Sequence, residues 1–138
     1  MEKYFEKLYN LALESSKNGD IPVGCIIIKD GNILSTGYNT RKCDNLVIGH
    51  AEINAICEAE KILGDFRLNG CILLTTLKPC KLCFEAIEAS RIDKVYYLLD
   101  QNSSGLYEPL KYVKFEVENN EYIDKYKKLF LNFFKNMR

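Results

Sequence analysis

Two short stretches constrain this chain more than anything else in it: His50-Ala51-Glu52 and Pro79-Cys80-Lys81-Leu82-Cys83. The first holds an imidazole and a carboxylate two residues apart. The second holds two thiols separated by two residues. His50 is the only histidine of the 138 residues, so no other imidazole competes for its role. Structural zinc usually takes four protein ligands, whereas catalytic zinc takes three and keeps one position for water. His50, Cys80 and Cys83 supply three donors, and Glu52 is left over as a proton carrier beside them. The fold must bring the two stretches together. Residues 53–78 separate them, a span of 26, enough for one helix, a turn and one strand that returns beside its start.

The flanking pattern agrees with that demand. Residues 2–18 read as a helix, with Tyr4, Phe5, Leu8, Leu11, Ala12 and Ser15 at helical spacing. Asn18-Gly19-Asp20 stops it. Val23 to Lys29 is a buried strand, Asp30-Gly31-Asn32 a hairpin turn, and Ile33 to Tyr38 the returning antiparallel strand. Asn39 to Gly49 reads as a loop. A second helix opens at His50, with Ala51, Ala55 and Ala59 on one stripe and Gly64 as its stop. Cys71 to Thr76 is a third strand. Pro79 fits the first turn of a third helix, which continues through Ala86, Ile87 and Ser90. Lys94 to Leu99 is a fourth strand, Asp100 to Tyr112 a loop with room for one helical turn, and Val113 to Val117 a fifth strand. Asn119 to Met137 closes the chain as a helix with Ile123, Tyr126, Phe130, Phe133, Phe134 and Met137 on its buried side. This order implies one domain over 1–138, an α/β chain with a mixed sheet and helices on both faces.

Spacing explains why these residue types suit a metal. Cysteines at i and i+3 lie on one side of a helix's first turn, so both sulfurs reach one ion. The free N–H groups at that helix end favour thiolate over thiol. Half of a structural zinc site, or a redox pair, would present the same Cys-x-x-Cys. The placement of each half-motif at a helix start, the second after a buried strand, favours the catalytic arrangement.

Charge and cysteine usage narrow the class. Lys plus Arg and Asp plus Glu are 19 each, so net charge is zero and global charge does not bind this chain to nucleic acid. No apolar run is long enough to cross a membrane. No signal-peptide core follows Met1, so a cytoplasmic location is expected. In that setting the six cysteines are metal ligands or buried thiols rather than a disulfide framework. Cys25, Cys57 and Cys71 are expected as small buried hydrophobes, and Cys43, in a polar stretch, as an exposed thiol.

The motifs resemble those of the cytidine deaminase-like superfamily, and within it most those of bacterial tRNA adenosine deaminases. The likeness rests on Ile21-Pro22-Val23-Gly24, Gly37-Tyr38-Asn39, His50-Ala51-Glu52-Ile53, Phe66-Arg67-Leu68, Thr76-Leu77, Pro79-Cys80, Ser90-Arg91-Ile92 and the tail Phe133-Phe134-Lys135-Asn136-Met137-Arg138. It departs at Lys78, where the family usually has Glu, at Phe84-Glu85 after the second cysteine, and in a shortened segment after Asp100, which itself resembles a substrate-facing Asp. The resemblance implies a three-layer α/β/α sandwich around a five-stranded mixed sheet, one zinc per chain on His50, Cys80 and Cys83, and Glu52 as the catalytic residue. It implies a base pocket with Asn39, Ile21, Leu77 and Ala51, and a homodimer. The implied reaction is hydrolytic conversion of adenosine to inosine at the wobble position of a tRNA anticodon stem-loop. Two alternatives stand beside it: a deaminase of a free base or nucleotide of the guanine, cytosine or cytidine type, and a catalytically silent zinc- or RNA-binding subunit. Candidate phosphate contacts for an RNA are Arg41, Lys42, Lys78, Lys81, Lys135 and Arg138.

Overall fold

The structure is a computed structural model and describes residues 1–101, 111–115 and 120–136. A 3-10 turn, Glu2–Tyr4, leads into helix α1, Phe5–Lys17. Strands β1, Gly24–Lys29, and β2, Asn32–Tyr38, form the hairpin. A single turn, α2, Arg41–Asp44, follows, then α3, Ala51–Leu63, and β3, Cys71–Leu77. Helix α4, Lys81–Ser90, β4, Lys94–Leu99, β5, Tyr112–Lys114, and α5, Glu121–Asn136, complete the order.

The sheet runs β2-β1-β3-β4-β5. β1 pairs antiparallel with β2 and β3, while β4 pairs in parallel with β3 and β5. The mixed five-stranded sheet is therefore as expected. Alternation along β1 shows why its sequence is a continuous apolar run. Cys25 and Ile27 join the core with Ala51, Ala55 and Ala59 of α3 and Ile87 of α4. Ile26 and Ile28 join the opposite core with Phe5 and Leu8 of α1 and Ile123 of α5. Both faces are covered, so neither set of side chains needs to be polar. Tyr126 of α5, fully buried, donates its hydroxyl to the Pro22 carbonyl at 2.7 Å and ties the last helix to the start of β1.

Several expectations are corrected. The stretch 39–49 is not all loop. Asp20, buried, accepts the amides of Lys42 and Cys43 at 2.7 and 3.3 Å and organises α2 from a distance in sequence. Pro79 precedes α4 rather than opening it, because Cys80 is the N-cap. Cys57 is exposed, whereas Cys25 and Cys71 are buried and Cys43 is exposed as expected. At about 100° per residue, Cys57 points away from the arc occupied by Ala51, Ala55, Ile56 and Ala59. On α5 only Ile123 and Tyr126 are buried, and Phe134 is 42% exposed, stacked edge-on against Phe130 and Phe133. Ile123 and the partly buried Phe130 pack against the cores, the helix also leans on α1, and most of its last turns are exposed. Met137, Arg138, the expected helical turn within 102–110 and the end of the fifth strand at 116–117 lie outside the described residues.

Candidate metal centre and base pocket

The site forms where β3 and β4 end and α3 and α4 begin, outside the carboxyl ends of parallel strands, where open α/β sheets bind ligands. His50 is the N-cap of α3 and Cys80 the N-cap of α4, both with extended backbone, so two helix starts converge. Cys83 stands one turn into α4 and is fully buried.

His50 Nδ1 lies 3.6 Å from Cys80 Sγ and 3.4 Å from Cys83 Sγ. A zinc ion with Zn–N of about 2.0–2.1 Å, Zn–S of about 2.3 Å and tetrahedral angles would place N and S about 3.6 Å apart. The three donors thus already stand at the separations of a zinc first coordination sphere. Among the described residues they are the one group of three or more His, Cys, Asp or Glu side chains able to hold a metal together. Glu52 is two residues from His50 yet is not in that donor set, in keeping with a role other than ligand.

Electrostatics follow from the same crowding. Hydrogen bonding from Cys83 draws the Cys80 thiol down to about 3, with the His50 ring adding to the effect against burial. Cys83 is pushed up because it keeps the shared proton and is buried. His50 is raised, first by its hydrogen bond with Cys80. Burial raises Glu52, opposed by hydrogen bonds from Cys83 and Thr75. A thiolate beside an imidazole and a carboxyl that readily takes a proton are the groups a cation and a proton carrier require.

Glu52, 4% exposed, accepts a hydrogen bond from Thr75 Oγ1 at 3.1 Å. It forms part of the lining of a cavity of about 150 Å³, together with Ile21, Val23, Asn39, His50, Leu77, Lys78, Cys80 and Gln101. At about 30 Å³ per water, that space holds roughly five waters, the scale of a single nucleobase. The larger surface concavity along β2 and α3 contains none of the metal donors.

Of the residues expected in a base pocket, Ile21, Leu77 and Asn39 line this cavity. Asn39 also has structural duties. Its Oδ1 accepts the Ala51 amide at 2.7 Å and its Nδ2 donates to the Ile21 carbonyl at 3.0 Å, so one N–H and one lone pair remain for a ligand. Ala51 is not on the cavity wall: it is fully buried, and its amide is the one Asn39 caps. Asp100, exposed, is likewise off the wall, and its neighbour Gln101 takes that place. Gln101 Nε2 donates to the Lys78 carbonyl, the Lys78 amide donates to the Leu99 carbonyl at 2.9 Å, and Lys78 Nζ lies 3.6 Å from Asp100 Oδ1. These bonds lace the segment after β3 to the segment after β4. Lys78, its side chain only 14% exposed, belongs to the cavity rather than to the open surface expected of a phosphate contact. Arg41, Lys42, Lys81 and Lys135 are exposed. Nothing in the sequence marks Val23 or Gln101 as a lining residue: Val23 belongs to an apolar run that reads as strand, and Gln101 has no local signal.

Comparison with known proteins identifies the family. The model of the cytidine and deoxycytidylate deaminase zinc-binding region matches residues 1–99. A tRNA-specific adenosine deaminase of Bacillus subtilis is 35% identical over 96 residues, 70% of this chain and 60% of that protein. A guanine deaminase of the same organism is 36% identical over 105 residues, 75% of this chain and 67% of its own length. The chain thus spans about 60% of the length of the curated tRNA deaminases it matches first. Among solved structures, one from studies of A-to-I editing by tRNA:A34 deaminases superposes with a TM-score of 0.69 at 33% identity, covering 72% of each chain. The Bacillus subtilis guanine deaminase structure gives 0.68 at 28% identity, covering 93% of this chain and 92% of its own. With its three-donor centre at the heart of the matched region, this chain belongs to the family of the cytidine and deoxycytidylate deaminase zinc-binding region.

Proposed function

We propose that the chain is a zinc-dependent hydrolytic deaminase that converts adenosine to inosine at the anticodon wobble position of a tRNA. The observation that carries the deaminase reading is the three-donor centre with buried Glu52 beside it, on the wall of a cavity the size of one base. His50, Cys80 and Cys83 would hold the zinc, which when bound acidifies a water so that hydroxide is available near pH 7. Glu52 takes the proton of the attacking water and gives it to the ring nitrogen next to the carbon under attack. It then takes the remaining proton from the hydroxyl now on that carbon and passes it to the departing amine, so that the C–N bond breaks, ammonia leaves and the hydroxyl oxygen becomes the carbonyl. Ile21, Val23 and Leu77 keep bulk water off the base, and the remaining N–H and lone pair of Asn39 orient it.

The tRNA assignment draws on the tRNA-specific relatives and on the exposed cations Arg41, Lys42 and Lys81, which flank the metal ligands in sequence. The active form we propose is a homodimer in the cytoplasm. Leu46, Val47, Ile48 and Leu82 are exposed apolar side chains close in sequence to the ligands, a surface suited to a second copy. Exposed thiols at Cys43 and Cys57 suit a reducing compartment. Among the described residues, no helix is long and apolar enough to cross a membrane.

A second reading, deamination of free guanine, is favoured by the near full-length superposition on guanine deaminase and by Lys78 and Gln101, two hydrogen-bond donors on the cavity wall. Salt separates the two. Each phosphate contact contributes about −0.7 to the slope of log affinity against log salt on single strands. On an anticodon stem-loop, kcat/KM is expected to fall steeply with salt, and Lys42→Ala with Lys81→Ala to flatten the slope by about 1.4. Brisk, salt-insensitive release of ammonia from guanine with none from the stem-loop would establish the second reading instead.

A further inference from the structure

We propose that Thr75 is a positioning residue for Glu52, its hydroxyl fixing the carboxyl in the orientation that proton transfer needs. The inference rests on the reading of Glu52 as proton carrier. β3 sends residues 71, 73, 75 and 77 to one face of the sheet. Cys71, Leu73 and Leu77 are apolar members of the core beneath α3 and α4. Thr75 breaks that run with a hydroxyl, although it is fully buried and sits in the middle strand of the sheet, paired with Cys25 and Tyr97. A buried hydroxyl needs partners. Thr75 Oγ1 has two, Glu52 Oε1 at 3.1 Å and the Leu77 carbonyl oxygen at 3.1 Å.

The chemistry of those two partners gives the hydroxyl its use. It has one proton and two acceptor lone pairs. The Leu77 carbonyl can only accept. Glu52 can accept as a carboxylate or donate as a carboxylic acid. Thr75 therefore serves Glu52 with or without its proton by turning one O–H bond, and no heavy atom moves. The terminal torsion of a glutamate is broad and roughly two-fold, so a carboxyl without such a tether would rotate. Strand β3 supplies rigidity and also leads directly into the cavity wall at Leu77 and Lys78.

The test compares Thr75→Val, Thr75→Ser and Glu52→Gln with wild type, all zinc-loaded, with kcat and KM measured separately and zinc counted per chain. Thr75→Val keeps the shape and removes the hydroxyl. It should lower kcat about tenfold with KM within about twofold and zinc unchanged. Thr75→Ser should restore kcat to within about threefold of wild type. Crystal structures give a second readout: one Glu52 rotamer in wild type and Thr75→Ser, a displaced or divided one in Thr75→Val. If Thr75→Val fails to fold, Thr75→Ala takes its place with the same expectations. A wild-type kcat without the hydroxyl, or a loss that comes with zinc release or a raised KM and is not rescued by Ser, overturns the positioning role. Wild-type turnover by Glu52→Gln overturns the proton-carrier reading itself, and the two failures are thereby distinguished.

Discussion

Replacing Gly37 by alanine tests how the sheet sets the metal centre. Gly37 lies in β2 opposite Cys25, directly under α3. A Cβ there would stand 2.4 Å from the Ala51 carbonyl oxygen and 2.7 Å from the Ala55 amide nitrogen, both backbone atoms of α3. Side-chain rotation relieves neither contact. Ordinary contact begins near 3.4 Å, so α3 must retreat by about 1 Å at its first turn. Ala51 sits between His50 and Glu52, so that retreat carries a zinc donor and the proton carrier with it. Overpacking of this kind costs about 2–3 kcal/mol. For a chain of this size that is a fall in Tm of about 6–12 °C. A misplacement of about 1 Å costs on the order of a hundredfold in turnover. Thermal unfolding gives the first quantity, and chelator competition shows whether zinc affinity falls with it. Gly64→Ala is the control. Gly64 ends α3 at φ +66° with no atom within 4 Å of an added Cβ. It should cost about 1 kcal/mol through backbone strain and leave zinc affinity unchanged. A Gly37→Ala protein with Tm within about 2 °C of wild type and unaltered zinc affinity would refute the close-approach argument.

Three further outcomes follow from other contacts. Asp20→Ala removes the carboxylate that caps α2 and should cost about 1–2 kcal/mol in chemical denaturation, whereas Asp20→Asn should cost less. Tyr126→Phe leaves the buried Pro22 carbonyl without its donor and should cost about 1 kcal/mol, read as a fall in the denaturation midpoint with the slope unchanged. With a thiol reagent counted by mass spectrometry, the native zinc-loaded chain should label at Cys43 and Cys57, and chelation should add Cys80, which is half-buried, before the buried Cys25 and Cys71.

The metal centre was legible because its chemistry is local. A thiol pair at helical spacing and a lone histidine paired with a nearby carboxylate specify donors without knowledge of the sheet. Strands β1, β3 and β4 were legible because they are buried on both faces and read as apolar runs. What escaped the sequence depends on contacts across the fold. The turn α2 forms because Asp20, some twenty residues earlier, satisfies its first amides. The exposure of Cys57 and Phe134 reflects how much of α3 and α5 the sheet covers, which an apolar residue list does not state. Gln101 reaches the cavity because β4 runs parallel to β3 and ends level with it. Thr75 has no signal beyond that of a β-branched strand residue, because its partner Glu52 reaches it from another element.

In the proposed mechanism three side chains hold the zinc while Glu52, outside that set, moves the protons. The decisive measurement is ammonia release from an anticodon stem-loop by zinc-loaded Glu52→Ala, at a measured metal content. The variant should hold one zinc per chain, as in wild type, with turnover lost. Zinc missing from the variant would make Glu52 a ligand, and turnover at the wild-type rate would give the proton transfer to another group; either result would refute this division of roles.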